Sequence, residues 1–202
     1  MLQKGEKLKN LIVSALGKPA PVSYDFDLNN NQRNLLTSKL RDAAVLVAIQ
    51  NLKDFPRIIL TIRAQNLSSH PGQVAFPGGK IDTNDNTTID AALREAQEEI
   101  GLPQKQVEVL GCLSQHITVS RFRVTPVVAL VEKEFNVKPE KGEVHEVFSV
   151  PLNFLMASHN YSIYTRKHLG KNQSYYAIPY GPYYIWGTTA RILRTFSKVL
   201  IQ

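Results

Sequence analysis

Three carboxylates and a guanidinium fall within nine residues of this chain, Arg94-Glu95-Ala96-Gln97-Glu98-Glu99-Ile100-Gly101-Leu102. In a helix, the spacings i, i+3 and i+4 bring Glu95, Glu98 and Glu99 onto one face. The apolar positions Ile89, Ala92, Leu93, Ala96 and Ile100 fall on a different arc at about 100° per residue. Like charges at such spacings cost about 0.2–0.5 kcal/mol per pair. Glu98 and Glu99 also sit within a turn of Gly101, a helix stop, where the negative end of the macrodipole disfavours them. On this reading no lysine or arginine lies on that face to offset the repulsion. A local rule broken in this way is expected at a functional site, and a divalent cation with hard oxygen ligands resolves it. An isolated acidic string is more often a solvated helix face, so the flanking residues decide the matter.

Phe76-Pro77-Gly78-Gly79 precedes a loop of turn formers, Asp82, Thr83, Asn84, Asp85 and Asn86. Thr87 or Asn86 caps the helix, and Asp90 completes a capping-box pair with Thr87. A strand leading into Gly-Gly and then an acidic helix lets backbone N–H groups approach an anion closely, since glycine has no Cβ.

Around this segment the chain holds 202 residues, 43% of them hydrophobic, enough for one domain with a substantial core. The single cysteine, Cys112, rules out an internal disulfide and fits a reducing, cytoplasmic compartment. It lies in Val109-Leu110-Gly111-Cys112-Leu113 and reads as a buried, inert thiol. No run of about 18 apolar residues suggests a membrane span, and Met1–Gly17 reads as a short amphipathic helix rather than a signal peptide. The net charge of +7 suits polyanionic ligands. Its lysines and arginines are dispersed and no nucleic-acid module is recognisable, so nucleic acid is not the expected partner.

Residues 1–38 read as a helix-and-loop extension, broken by Pro19, Pro21 and Asn29-Asn30-Asn31. Residues 39–202 carry the globular pattern. Ala43–Ile49 and Arg57–Arg63 read as strands paired in a hairpin. Further strands are expected at Gln73–Phe76, Val107–Gln115 and Arg123–Val131, the last at an edge or bulge because of Pro126. A short helix near Pro151, strands at Tyr161–Tyr164 and Tyr175–Tyr180 and a helix from Thr188 to Leu200 complete the pattern. Mixed strands around two main helices indicate a single layered α/β domain.

The segment Gly79–Leu102 resembles the signature of Nudix hydrolases, which ends R-E-x-x-E-E-x-G-hydrophobic; Arg94, Glu95, Glu98, Glu99, Gly101 and Leu102 match it. Leu60-Thr61-Ile62-Arg63, Leu67, His70, Gly72-Gln73-Val74-Ala75-Phe76-Pro77-Gly78-Gly79, Asp82 and Asp85 are similar to the extended motif of the coenzyme A diphosphatase branch. Similarity continues through Val150-Pro151-Leu152, Ile178-Pro179-Tyr180 and Ile185-Trp186-Gly187-Thr188. Three departures stand out: one extra residue between Gly79 and Arg94, Ala64 where Ser is common, and Ser68 where the branch has Arg.

The resemblance implies the Nudix fold, an α/β/α sandwich with a mixed sheet. It also implies metal-dependent hydrolysis of a nucleoside diphosphate linkage, with coenzyme A giving 3′,5′-ADP and 4′-phosphopantetheine. Mg²⁺ or Mn²⁺ is expected on Glu95 and Glu99, with Glu98 a further ligand or catalytic group. Arg94 is expected to orient the glutamates. Glu143 and Glu146, on a loop before a strand, are candidates to activate water or ligate metal. Arg63, Gln73, Gly78 and Gly79 are expected to meet substrate, as are Arg121 or Arg123 at a phosphate. His70 is either a substrate contact or a structural hydrogen-bonding group. Phe122 is a candidate to stack on adenine, whereas Phe76 reads as core. ADP-ribose, NADH or a dinucleotide is the rival substrate, and a non-catalytic nucleotide sensor is the rival of another class. Many relatives are homodimers.

Overall fold

The computed structural model describes residues 4–29, 39–52, 55–168 and 170–201. In chain order, helix α1 (Lys4–Leu16) and strand β1 (Ser23–Tyr24) come first. The long strands β2 (Arg41–Leu52) and β3 (Phe55–Arg63) follow, then β4 (Val74–Ala75) and β5 (Gly78–Lys80), which lead into helix α2 (Thr88–Ile100). Strands β6 (Val107–Cys112), β7 (His116–Ile117), β8 (Phe122–Val131) and β9 (Val144–Pro151) precede the short helix α3 (Leu152–Met156). Strands β10 (Ser162–His168), β11 (Lys171–Tyr180) and β12 (Tyr183–Trp186) then run into helix α4 (Gly187–Ile201).

The unbroken apolar run of β2 reflects burial on both faces. Ala43, Val47 and Ile49 pack with Ile12, Leu155, Leu193 and Phe196, whereas Ala44, Leu46 and Ala48 pack with Ala92, Ala96 and Ile100. Helix α2 therefore covers one face and α1, α3 and α4 the other, giving the expected α/β/α sandwich. Strand β2 pairs antiparallel with β3, as the hairpin expectation required, and parallel with β8. The larger sheet runs β1-β7-β8-β2-β3-β4, with β5 beside β2, β6 beside β8 and β9 beside β3; β10-β11-β12 form a second sheet. Residues Lys53 and Asp54 of the β2–β3 connection, and Asn30 and Asn31, lie outside the described residues.

Two expectations need correction. Pro126 lies in an interior strand, with β2 on one side and β6 and β7 on the other. It is tolerated because β6 pairs with β8 as far as Val127 and β7 resumes at Val124, leaving a break between them. The Pro126 carbonyl accepts from Leu113 N–H across that break, so its missing N–H faces a place where no ladder bond is lost. Cys112 is exposed rather than buried. It ends β6 just after a register shift between Val109 and Gly111, and a bulge of this kind re-aims the side chains that follow.

The segment before β2 is tied to the sheet by a buried network. His116, fully buried, bonds Ser23 Oγ through Nδ1 and Asp25 Oδ1 through Nε2, both at 2.8 Å. Asp25 also accepts from Val119 N–H and from the Thr188 hydroxyl at the start of α4. Although its members are serine, histidine and aspartate, a histidine with no exposed surface offers no access to a substrate, and the network joins three segments. Among the described residues, no helix is long and apolar enough to cross a membrane.

Candidate active site

Strand β5 lies against β2, with Gly78 opposite Val45 and Gly79 opposite Ala44. The approach is too close for a side chain: at Gly78 (φ 151°) a Cβ would collide with the Ala44 carbonyl oxygen and lie 2.6 Å from Val45 Cα. At Gly79 the space of a Cβ is taken by the carboxylate of Glu95, whose Cδ would lie 2.5 Å from it. The helix that carries Glu95 starts at Thr87, whose hydroxyl accepts from Asp90 N–H while the Asp90 carboxylate accepts from Thr87 N–H. It ends at Gly101 in the left-handed conformation (φ 74°), a position that favours glycine. Ala91, Ala92, Ala96 and Ile100 bury its apolar stripe, which turns Glu95 and Glu99 toward β5.

Glu143 joins them from outside the helix. Lys138 N–H and Glu140 N–H donate to the Ile100 and Glu99 carbonyls, two of the orphan acceptors of a helix end. Glu143 N–H and Val144 N–H turn back onto the Glu140 carbonyl, and Ala64 N–H donates to the Glu143 carbonyl. This turn brings Glu95, Glu99 and Glu143 together, with one carboxylate oxygen of each within 4.8 Å of the others. Glu99 is 4% exposed and accepts from Gly78 N–H at 3.0 Å. Burial pushes its carboxyl up to about 8, against that N–H and with reinforcement from the charges of Glu95 and Glu143. Burial also raises Glu95, with Arg94 opposing it.

Glu98 stands apart from this cluster. At about 100° per residue it projects roughly 100° away from Glu99, whereas Glu95 and Glu99 are only about 40° apart; the i+3 and i+4 positions were not equivalent. Its side chain is 59% exposed and paired with Arg94 Nη1 at 2.8 Å. The expectation that no cation offsets the acidic face is also corrected, because Arg94 reaches across it. Its Nε and Nη2 donate to the two Asp85 oxygens at 2.9 Å, and its Nη1 donates to Glu95 at 3.0 Å. The Arg94 guanidinium holds the Asp85 carboxyl below the usual range, and the fork fixes Glu95 from behind.

These carboxylates line a cavity of about 620 Å³ together with Gly78, Gly79, Arg63, His70 and Gln73. Arg63 N–H donates to the Gln73 carbonyl, so both side chains reach the cavity from paired backbone; Arg63 Nε is buried with no partner among the described residues. His70 takes a left-handed conformation (φ 57°) in the turn above. Ser68 is absent from the lining although Leu67 and Ser69 are in it. Glu146 sits in β9 opposite Ile62 and accepts from the Tyr183 hydroxyl at 2.6 Å; it is not part of the carboxylate cluster. Phe76 and Phe122 line the cavity, Phe76 being also a buried core residue.

Arg123 and Arg121 do not line the cavity. Phe122 and Val124 face it, so alternation turns Arg123 to the opposite side of β8, where it pairs with Asp42 at 2.5 and 2.8 Å. Arg121 occupies the preceding turn (φ 64°). The lining instead includes Arg41, Trp186 and Thr188. Arg41 was legible in principle, two residues before the cavity-facing Ala43 on the same strand face. Trp186 and Thr188 fall in the Ile185–Thr188 stretch of the resemblance, but no spacing of residues assigned them to the site.

The NUDIX domain model matches residues 39–167. A protein of Citrobacter koseri named as an uncharacterized Nudix hydrolase, NudL, is 40% identical over 175 residues, covering 85% of this chain and 89% of its own length. The chain belongs to the Nudix family. A protein of the same name from Enterobacter sp. is 38% identical over 157 residues, 78% of this chain and 81% of its own. The crystal structure of the MutT protein from Methanosarcina mazei superposes with a TM-score of 0.51 over 81% of this chain and 96% of that one; at 17% identity it supports the fold alone. Nudix hydrolases generally use divalent metal ions and act on small nucleotide substrates.

Proposed function

We propose that this Nudix hydrolase cleaves the diphosphate of coenzyme A or its acyl forms to 3′,5′-ADP and the 4′-phosphopantetheine half. The observation that carries the hydrolytic reading is the convergence of Glu95, Glu99 and Glu143 beside a cavity of about 620 Å³. The branch choice rests on the motif running from Arg63 to Gly79, whose residues Arg63, His70, Gln73, Gly78 and Gly79 line that cavity.

The residues fit a hard divalent ion. All donors are carboxylates, Glu99 is buried deeply enough that its ionised form needs a cation, and Gly79 leaves room for the Glu95 carboxylate. Glu95 and Glu99 would hold Mg²⁺ or Mn²⁺. An ion held there would supply charge neutralisation for the diphosphate and a lowered pKa for a bound water. Arg94, tied to Asp85, keeps Glu95 in place. Glu143, with a carboxylate oxygen within 4.8 Å of those of its neighbours, takes the proton of the attacking water as the water oxygen bonds to phosphorus. The P–O–P linkage breaks, and its bridging oxygen leaves with the other half. Arg63 and the Gly78–Gly79 backbone face the phosphates. Glu143→Gln is therefore expected to lower kcat far more than Glu146→Gln, since Glu146 is engaged by Tyr183; single-turnover rates at saturating Mn²⁺ check this, and equal losses would reverse the assignment.

The deciding experiment is chromatographic product analysis with coenzyme A, ADP-ribose and NADH, each with Mg²⁺ or Mn²⁺. Release of 3′,5′-ADP from coenzyme A in preference to cleavage of the others is expected. Preference for another diphosphate would keep the chemistry and discard the branch, and no cleavage of any would favour a nucleotide sensor.

A further inference from the structure

We infer that Arg41, with the Thr118–Ser120 hydroxyls, forms a phosphomonoester subsite that reads a phosphate on the ribose of the substrate. The inference rests on the proposed function above, because it supposes that the nucleotide's diphosphate lies at Glu95 and Glu99.

Strand pairing sets Arg41 beside Phe122, and three contacts preorganise its side chain. The guanidinium carbon lies 4.1 Å from the centroid of the Phe122 ring, Nη2 donates to the Ser120 carbonyl at 3.1 Å, and Arg41 N–H donates to the Arg121 carbonyl at 3.0 Å. Among the described residues the remaining guanidinium N–H groups meet no acceptor, and a planar fork suits phosphate oxygens. Two hydroxyls stand alongside. Thr118 Oγ1 accepts from Phe122 N–H at 3.0 Å, lies 2.9 Å from Ser120 Oγ, where either hydroxyl can donate, and lies 3.5 Å from the Phe122 carbonyl; in the arrangement where Thr118 donates to Ser120, the Ser120 proton is left for an anion. Arg41, Phe122, Thr118 and Ser120 all line the cavity.

Charge and distance select the ligand. Among the described residues no carboxylate pairs with Arg41, while the neighbouring Asp42 is consumed by Arg123. The corner is thus positive, in contrast to the carboxylate end. Arg41 stands three residues before Ala44, the partner of Gly79, against which Glu95 packs. At about 3.3 Å per residue the two backbone positions are about 10 Å apart along β2. A ribose with a 5′-diphosphate at one end and a phosphomonoester on its ring bridges that kind of span. A dianionic monoester matches a guanidinium and a hydroxyl better than an uncharged ribose does.

The test compares coenzyme A with 3′-dephospho-coenzyme A in the native enzyme, Arg41→Ala and Arg41→Lys. Native enzyme is expected to favour the phosphorylated substrate in kcat/KM by at least about tenfold, mainly through KM. Arg41→Ala should bring that ratio close to one and Arg41→Lys should restore part of it, with melting curves establishing that the variants are folded. An unchanged ratio in Arg41→Ala, or no preference in the native enzyme, overturns the subsite while leaving the coenzyme A reading intact. If the native enzyme cleaves neither compound, that reading falls and calorimetry decides the subsite. Tighter binding of adenosine 3′,5′-bisphosphate than of 5′-AMP, lost in Arg41→Ala, upholds it; equal binding overturns it.

Discussion

Glu99→Gln is expected to lower turnover by more than about 100-fold, since removing mere outer-shell partners of a metal already costs about 10–100-fold, and to stabilise the metal-free protein at alkaline pH. The second half follows from linkage. The folded-state carboxyl lies at about 8, against an ordinary value of 4.5. Between these values the folded state binds more protons than the unfolded chain, so stability falls as pH rises through that window. By pH 8.5 the accumulated penalty is on the order of a few kcal/mol. Glutamine keeps an oxygen to accept from Gly78 N–H but carries no charge to bury. Metal-free native protein should therefore lose melting temperature between pH 5 and pH 8.5, with a shallower loss in Glu99→Gln. Added Mn²⁺ should raise the native Tm by mass action and leave the variant nearly unmoved. Identical pH slopes and identical metal responses would remove Glu99 from the metal site.

The second large effect separates two adjacent glycines. Gly79→Ala should fold with a stability loss of no more than about 1–3 kcal/mol, because the added methyl meets the movable carboxylate of Glu95. Its activity should fall by at least about tenfold, as expected when a ligand's placement is disturbed. Gly78→Ala meets fixed backbone, the Ala44 carbonyl and Val45 Cα, from a φ of 151°. It should destabilise by about 2–4 kcal/mol through strain and overpacking, visible in urea midpoints before activity is assayed. A Gly79→Ala enzyme with native kcat would mean that the position of Glu95 is unimportant to the reaction.

Much of this site was written locally. The capping pair Thr87–Asp90, the stop at Gly101 and the apolar stripe of α2 depend on neighbours within a turn, so the sequence alone determined a helix that presents Glu95 and Glu99 together. The apolar run of β2 and its hairpin with β3 were legible for the same reason. Glu98 stands apart from Glu95 and Glu99 because i+3 and i+4 are not equivalent on a helix packed through Ala92 and Ala96, which turns Glu99 toward the sheet and leaves Glu98 in solvent. Long side chains also escape such counting: Arg94 stands one turn before Glu98, a pairing that spacing contains, but its simultaneous reach to Asp85 and Glu95 follows from no spacing rule.

What tertiary structure alone decided lies where segments distant in the chain meet. Glu143 joins the cluster because the loop after β8 satisfies the carbonyls at the end of α2 and pairs with Ala64, a relation no local spacing encodes. Pro126 sits in an interior strand because two partner strands leave a break opposite it. Arg41 enters the cavity and Arg123 leaves it because parallel pairing of β2 with β8 aligns Arg41 with Phe122 and Asp42 with Arg123. Local periodicity specifies which residues share a face; only the packing of the other elements specifies what that face meets.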